Sequence, residues 1–378
     1  MGAARGRTRL LVLQPTPGCN IDCAYCYLPG RTSRAVMSVA TMRAAIEALR
    51  VDGLLGRELR VAWHAGEPLM LPAAYYADAL PAVTDACGPR TRVTHHFQTN
   101  AIAVTDAHVA VLAGHLARVG VSLDGPADLH DARRRTRSGR GSHALTVRGL
   151  QRLQRGGLNP SAICVVTAET LPHGARLIRH FRDLGVDRVA LNFEEDEGTN
   201  RSSLAAVPMG DVHAFLRDVY AAARALEVRV REFEREALFD QGAEASDDLV
   251  RPFGTVSVDW QGGYSTFSPE LLPLRHPRYG AFVLGSVHGG GVRAGTQSDR
   301  FRTMARDLRR GVAACRRTCT RFDRCRGGAP SNKLAEAGTF AVAETLSCRL
   351  RQHAVHEVVR QLADRPGAAV PVTSSRRA

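Results

Sequence analysis

Two groups among the nine cysteines have spacings that can do chemistry. Cys19, Cys23 and Cys26 are separated by three and two residues, in a loop that also carries Pro15, Pro17 and Gly18. Three thiolates can hold three irons of a cubane cluster and leave the fourth iron open to a reactive ligand. A structural zinc site asks for four ligands, so zinc is the weaker reading of a triplet. The second group, Cys315, Cys319, Cys325 and Cys348, has intervals of three, five and twenty-two residues. Four thiolates can close a second cubane completely. Four cysteines can also close on zinc, and the spacing alone leaves both open. Cys87 and Cys164 stand singly on apolar helix and strand faces and read as buried thiols.

A loop of thiols needs a scaffold, and the pattern before residue 230 supplies one. Residues 8–14 read as a strand that delivers the first cysteine loop. Ser38 is a plausible N-cap for a helix with Met42, Ile46 and Leu49 on one stripe. Further strands are predicted near 60–64, 92–98, 118–123, 161–167 and 187–193. Helices are predicted near 73–83, 106–116, 143–155, 171–184 and 209–226. Six strand–helix pairs with short connections imply an α/β chain with a parallel sheet and helices outside. Six units instead of eight imply a partial (β/α)6 barrel, open on one side, with its chemistry at the C-terminal strand ends. The rhythm then changes. Thr255–Trp260 and Tyr264–Phe267 flank Gln261-Gly262-Gly263 as a β-hairpin. The cysteine-rich stretch 315–348 and an amphipathic helix over 349–363 follow. The expected organisation is a flexible N-terminus 1–7, a barrel 8–230, a C-terminal domain 231–364 and a disordered tail 365–378.

On these residues the chain resembles the radical S-adenosylmethionine (SAM) superfamily. The family signature C-x3-C-x-aromatic-C is present as Cys19-Asn20-Ile21-Asp22-Cys23-Ala24-Tyr25-Cys26. The family's Gly-Gly-Glu-Pro turn is present as Ala65-Gly66-Glu67-Pro68, with a small residue replacing the first glycine. The resemblance implies a SAM-binding [4Fe–4S] cluster on Cys19, Cys23 and Cys26, with SAM chelating the open iron. It implies Glu67 and nearby backbone on the SAM ammonium, Tyr25 against the adenine and Ser122 on the ribose. It also implies Arg134 on the SAM carboxylate, with Arg133 as the neighbouring option. Asn100, closing Gln98-Thr99-Asn100, falls at the same end of the barrel.

The C-terminal cysteines resemble the SPASM extension of peptide-modifying radical SAM enzymes, here with one auxiliary [4Fe–4S] cluster on Cys315, Cys319, Cys325 and Cys348. The inner cluster of the full form needs Gly-x4-Cys in the hairpin, and this chain ends that run in Ser268. Ser265-Thr266-Phe267-Ser268-Pro269-Glu270-Leu271-Leu272 and Gly327-Gly328-Ala329-Pro330-Ser331-Asn332-Lys333 narrow the resemblance to a cyclophane-forming, GRRM-like subgroup of peptide maturases. Glu270 is the candidate base for removing a ring proton. Lys333 is the only lysine beside fifty arginines, held either by function or by a helix-terminus contact.

Composition bounds the rest. With 44 % apolar and 23 % charged residues the chain is globular, which excludes wholesale disorder. Its formal charge of +14 is carried almost entirely by arginine. The densest basic run, Arg133 to Arg137, has no aromatic interleaved, which argues against a nucleic-acid module. No stretch approaches the roughly 20 apolar residues of a membrane span. No signal segment is visible, so a cytoplasmic location with reduced thiols is expected. His353 and His356 read as a polar helix face, and only one of His95 and His96 can point to either side of a strand. The expected function is side-chain cross-linking of a precursor peptide, with an electron donor such as flavodoxin or ferredoxin. Modification of a small molecule, such as a nucleoside or sugar, is the alternative.

Overall fold

The computed structural model describes residues 6–363. The predicted tail at 365–378 and residues 1–5 of the predicted flexible N-terminus lie outside them. Arg7, within the latter segment, donates to the carbonyls of Gly53 and Leu55 at 2.7 and 2.8 Å.

Six strand–helix units form the first part of the chain. The strands are β1 Leu10–Leu13, β2 Glu58–Trp63, β3 Arg92–Thr99, β4 Arg118–Ser122, β5 Ser161–Val166 and β6 Arg188–Phe193. The helices are α1 Val39–Val51, α2 Ala73–Cys87, α3 Asp106–Gly114, α4 His143–Arg155, α5 Gly174–Asp183 and α6 Met209–Ala225. All six strands run parallel in the order of the sequence. Parallel strands need crossover helices that cover the sheet, and Leu11, Leu13, Val61, Trp63, Val121 and Leu191 are accordingly buried. Ser38 caps α1 as expected, accepting from Thr41 N–H at 3.0 Å. Such a cap stabilises a helix by about 1 kcal/mol. Trp63 stacks on Phe97 at 5.6 Å and donates to His95 Nδ1 at 3.2 Å. His95 is the buried member of the His95-His96 pair and faces α2, with Nε2 3.1 Å from Thr84 Oγ1.

The sheet does not stop at the sixth strand. The hairpin β7 Thr255–Val258 and β8 Gly263–Thr266 joins it beside β1, with Leu10 opposite Thr255 and Leu13 opposite Val258 in parallel register. β1 is therefore flanked by β2 on one side and β7 on the other. The C-terminal region packs its own helices beyond this hairpin: α7 Arg231–Asp240, α8 Asp299–Thr318 and α9 Pro330–Ala337. The helix expected over 349–363 is present, but its first part, Arg349–Ala354, is a π-helical turn before Val355–Ala363 continues as α-helix. No helix of the described residues is long and apolar enough to cross a membrane.

Candidate active site

The loop after β1 is fixed from two directions. Ile21–Cys23 pairs antiparallel with Arg134–Thr136, which places Cys23 opposite Arg134. Arg137 Nε donates to Cys19 O at 2.9 Å, and Cys19 N–H donates to Arg31 O at 2.9 Å. The turn after β2 closes the other side, with Glu67 N–H on Gly18 O at 2.7 Å. Gly66 has φ +58°, and a Cβ there would stand 2.4 Å from Gly18 O, so the close approach requires glycine. Ala65 has φ +76°, a conformation that strains an L-residue.

Glu67 is 1 % exposed. Its carboxylate accepts from Thr99 Oγ1 at 2.6 Å, Asn100 N–H at 2.6 Å and Leu69 N–H at 2.9 Å. Burial pushes it up to about 7 despite these donors. The carboxylate expected on the SAM ammonium is thus a fastener between the turn and the end of β3. Asn100 Nδ2 in turn donates to Asn20 Oδ1 at 2.7 Å and stands 4.0 Å from Cys19 Sγ. Ser122 Oγ accepts from Gln98 Nε2 at 2.7 Å.

Asp124 organises the far wall, a role the sequence reading did not assign. Its Oδ2 accepts from Arg134 Nε at 2.8 Å, its Oδ1 accepts from Arg134 Nη2 at 3.2 Å and Val165 N–H at 2.9 Å, and Tyr25 Oη donates to it as well. Burial pushes the Asp124 carboxyl up, but the Arg134 charge, His130 and the hydrogen bonds from Arg134 and Tyr25 together hold the group below the usual range. Arg134 also lies over the Tyr25 ring at 5.3 Å and brings Nη1 to 3.8 Å from Cys23 Sγ. Tyr25 is therefore turned toward this ion pair. Arg133 points away, to Glu169 at 3.1 Å, which leaves Arg134 as the arginine at the cluster loop.

Burial pushes the Cys19 thiol up to about 12 and the Cys23 thiol up to about 11, with the neighbouring thiols contributing. Crowded thiols of this kind fit a group that deprotonates its ligands on binding, as metal ions do. Among the described residues no three His, Cys, Asp or Glu side chains converge on a single ion's position. A cubane distributes its thiolates over separate irons and does not ask for that convergence.

Beside Cys26, carboxylates of the barrel and of the C-terminal region come near one another. Tyr27 is partly buried near Cys26, Glu197 and Glu270, and its Oη lies 3.4 Å from His64 Nε2. Burial raises both Glu197 and Glu270 well above the usual carboxylate range, with Glu270 and Glu195 repelling the first and Glu195 the second. Ser331 donates to Glu270. Glu195 accepts from Ser347 Oγ at 2.7 Å and Arg351 Nη1 at 2.9 Å. Phe267, just before this segment, has φ +77°, strain of the kind that collects at functional sites. Ser268 Oγ accepts from Ser331 N–H at 3.3 Å, tying the hairpin to the first turn of α9.

The second cysteine group also assembles. Cys315 lies in the last turn of α8, and Cys319 is its C-cap. Cys325 ends the short helix Phe322–Cys325, and Cys348 follows the Thr345 cap. Burial raises Cys348 to about 12, and the nearby Cys325, Cys319 and Cys315 thiols add to it. His353 Nε2 stands 3.8 Å from Cys319 Sγ, while His356 pairs with the buried Glu236 at 2.9 Å. Glu236 also holds Arg321 and Arg324 at 3.2 and 2.9 Å, which anchors the Cys319–Cys325 segment to α7. Cys325 and Cys348 line a cavity of about 290 Å³, and Asn332, also lining it, is 3 % exposed with no partner for Nδ2. An orphaned donor beside four crowded thiols fits an anionic cluster with acceptor sulfurs. Cys87 and Cys164 are buried in the hydrophobic core, as expected of isolated thiols.

The model of the Radical SAM superfamily matches residues 13–167. An uncharacterized protein of Synechocystis is 37 % identical over 365 residues, which cover 94 % of this chain and 92 % of that protein. The chain belongs to the radical SAM superfamily. A serine-type anaerobic sulfatase-maturating enzyme of Bacteroides thetaiotaomicron is 21 % identical over 347 residues, 84 % of this chain and 81 % of the relative. Among solved structures, anSMEcpe with bound AdoMet matches this radical SAM chain with a TM-score of 0.76 at 17 % identity, over 94 % of this chain and 97 % of that one. Streptococcus suis SuiB bound to precursor peptide SuiA matches with a TM-score of 0.60 at 15 % identity, over 91 % and 76 %. The protein is a radical SAM enzyme with a partial barrel and a C-terminal region that follows the anSMEcpe fold. It uses the superfamily's [4Fe–4S] cluster and SAM.

Proposed function

We propose that this enzyme is a peptide maturase that forms a side-chain cross-link of the cyclophane type in a precursor peptide. When bound, the SAM cluster and SAM supply a 5′-deoxyadenosyl radical that removes hydrogen from an unactivated carbon. Cys19, Cys23 and Cys26 hold that cluster. Glu67, whose carboxylate accepts three donors within the protein and keeps an acceptor site for the ammonium, holds the SAM methionyl group together with the backbone of Ala65, Gly66 and Pro68. Asn100, Ser122, Tyr25 and Arg134 line the rest of the SAM site. The third guanidinium nitrogen of Arg134, Nη1, is the one not engaged by Asp124 and is the one free for a carboxylate. Cys315, Cys319, Cys325 and Cys348 hold one auxiliary [4Fe–4S] cluster.

The observation that carries this reading is the placement of Glu270. Its charge is felt by Tyr27, the residue after Cys26, and by Glu197 at the end of the barrel. A carboxylate raised by burial is matched to taking a proton near neutral pH. Once a hydrogen atom has left the carbon, joining it to a ring releases one proton, which Glu270 would take, and one electron, for which a cluster on the C-terminal cysteines would be the acceptor. The peptides bound in solved structures of anSMEcpe and SuiB support an extended peptide as the substrate class. The reduced thiols suit the cytoplasm, with flavodoxin or ferredoxin as electron source.

The test is anaerobic turnover with peptides encoded beside the gene, SAM and a strong reductant. The expected product is a peptide lighter by about two hydrogens, from the electron count above. A peptide of unchanged mass would mean epimerisation. Turnover of a nucleoside or sugar with no response to any peptide would place the enzyme among small-molecule tailoring enzymes.

A further inference from the structure

Lys333 is the only lysine in the sequence, and its side chain is 4 % exposed. Its Nζ donates to Cys315 Sγ at 3.4 Å, and none of the ion pairs among the described residues gives it a carboxylate. A buried ammonium without an anion is costly by several kcal/mol, so such groups are found paired. The fold nevertheless makes room for it. A Cβ at Gly311, on the facing turn of α8, would stand 3.2 Å from Lys333 Nζ and 2.0 Å from Phe340 O. Lys333 and Asn332 both lie near the start of α9, one on Cys315 Sγ and the other lining the cavity beside Cys325 and Cys348.

We propose that Lys333 is the charge partner of the auxiliary cluster and sets its reduction potential through the Cys315 sulfur. This rests on the auxiliary-cluster reading above. A cubane closed by four thiolates is anionic, which supplies the missing counter-charge for the ammonium. Net charge and hydrogen bonds to sulfur are the main levers on such a potential. A fixed positive charge at a ligating sulfur favours the reduced, more negative state. Lys333 therefore biases the site toward accepting the one electron that the substrate radical gives up as the new bond forms. A helix-terminus contact alone would put the ammonium on backbone carbonyls, whereas its hydrogen bond goes to the Cys315 thiol in the last turn of α8.

The test is a redox titration of reconstituted full-length protein followed by electron paramagnetic resonance, comparing wild type with Lys333→Met and Lys333→Gln. Both neutral variants should favour the oxidised auxiliary cluster at least tenfold more than wild type, a fall of about 59 mV for a one-electron couple. The signal of the cluster on Cys19, Cys23 and Cys26 should not move. A loaded auxiliary cluster whose potential stays within threefold of wild type in both variants overturns the Lys333 assignment and leaves the auxiliary-cluster reading intact. Zinc at the C-terminal thiols of wild type overturns both. If neither neutral variant retains auxiliary iron, Lys333→Arg decides: recovered iron supports the charge requirement, and loss in all three assigns a packing role and overturns the proposal.

Discussion

Asp124→Asn tests the architecture of the SAM site without touching a cysteine. Asp124 is 3 % exposed and Arg134 is 7 % exposed. The substitution keeps the shape but removes the charge that faces two guanidinium nitrogens. Breaking a buried ion pair from one side costs about 3–5 kcal/mol, because the partner charge stays buried and unpaired. The amide can still accept from Val165 N–H, so that hydrogen bond adds little to the loss. An expected destabilisation of about 3–5 kcal/mol is a large part of the 5–15 kcal/mol typical of a domain. Anaerobic urea unfolding of the cluster-free protein measures it. The pH dependence gives a second check. The native Asp124 carboxyl lies below its usual value, so its contribution is complete above the unfolded pKa and disappears as pH falls through the lowered native one. Wild type should lose this increment in acid, and Asp124→Asn should lack it at every pH. A variant within about 1 kcal/mol of wild type at pH 7 would refute the reasoning, since surface pairs fall in that range and buried ones do not.

Three further outcomes follow from the same geometry. Ala65→Gly should raise stability slightly, by about 0.5 kcal/mol, because relief of the φ +76° strain exceeds the added chain entropy; thermal unfolding would read this. Turnover should rise with pH through about 7 as Glu270 loses its proton. Glu270→Gln should abolish product while sparing SAM cleavage, and Glu195→Gln should move the rise to lower pH by removing a like charge. Cys23→Ala should abolish SAM cleavage, whereas Cys319→Ala should retain part of it and lose product, which 5′-deoxyadenosine and peptide assays separate.

The alternating units were legible because each element carries its own period. α4 was read over His143–Arg155, as observed, and Ser38 announced α1 three residues before its amide partner Thr41. The cysteine groups were legible as spacings, and the structure brings the members of each together. What stayed hidden depends on contacts distant in sequence. Asp124 lies two residues after Ser122 in the sequence, yet its importance comes from Tyr25, 99 residues away, and Val165, 41 residues away. Glu195 and Glu197 were missed for the same reason: a run of acids after a strand reads as a solvated loop until Glu270 and Arg351 are packed against it. Glu67 has a second task that its motif did not announce: three donors within the protein hold the carboxylate that the motif assigns to SAM. The parallel pairing of β7 with β1 joins strands some 245 residues apart, and no local pattern carries that information.

The central claim is that a radical formed at Cys19, Cys23 and Cys26 takes hydrogen from a peptide side chain while a second site on the same peptide gives up a proton. A peptide perdeuterated on its aliphatic side chains, turned over anaerobically with SAM and reductant, tests this in one mass spectrum. The expected products are 5′-deoxyadenosine carrying one deuterium and a peptide that has lost one deuterium and one protium. Unlabelled 5′-deoxyadenosine at every candidate peptide, formed at the rate seen without peptide, would contradict it.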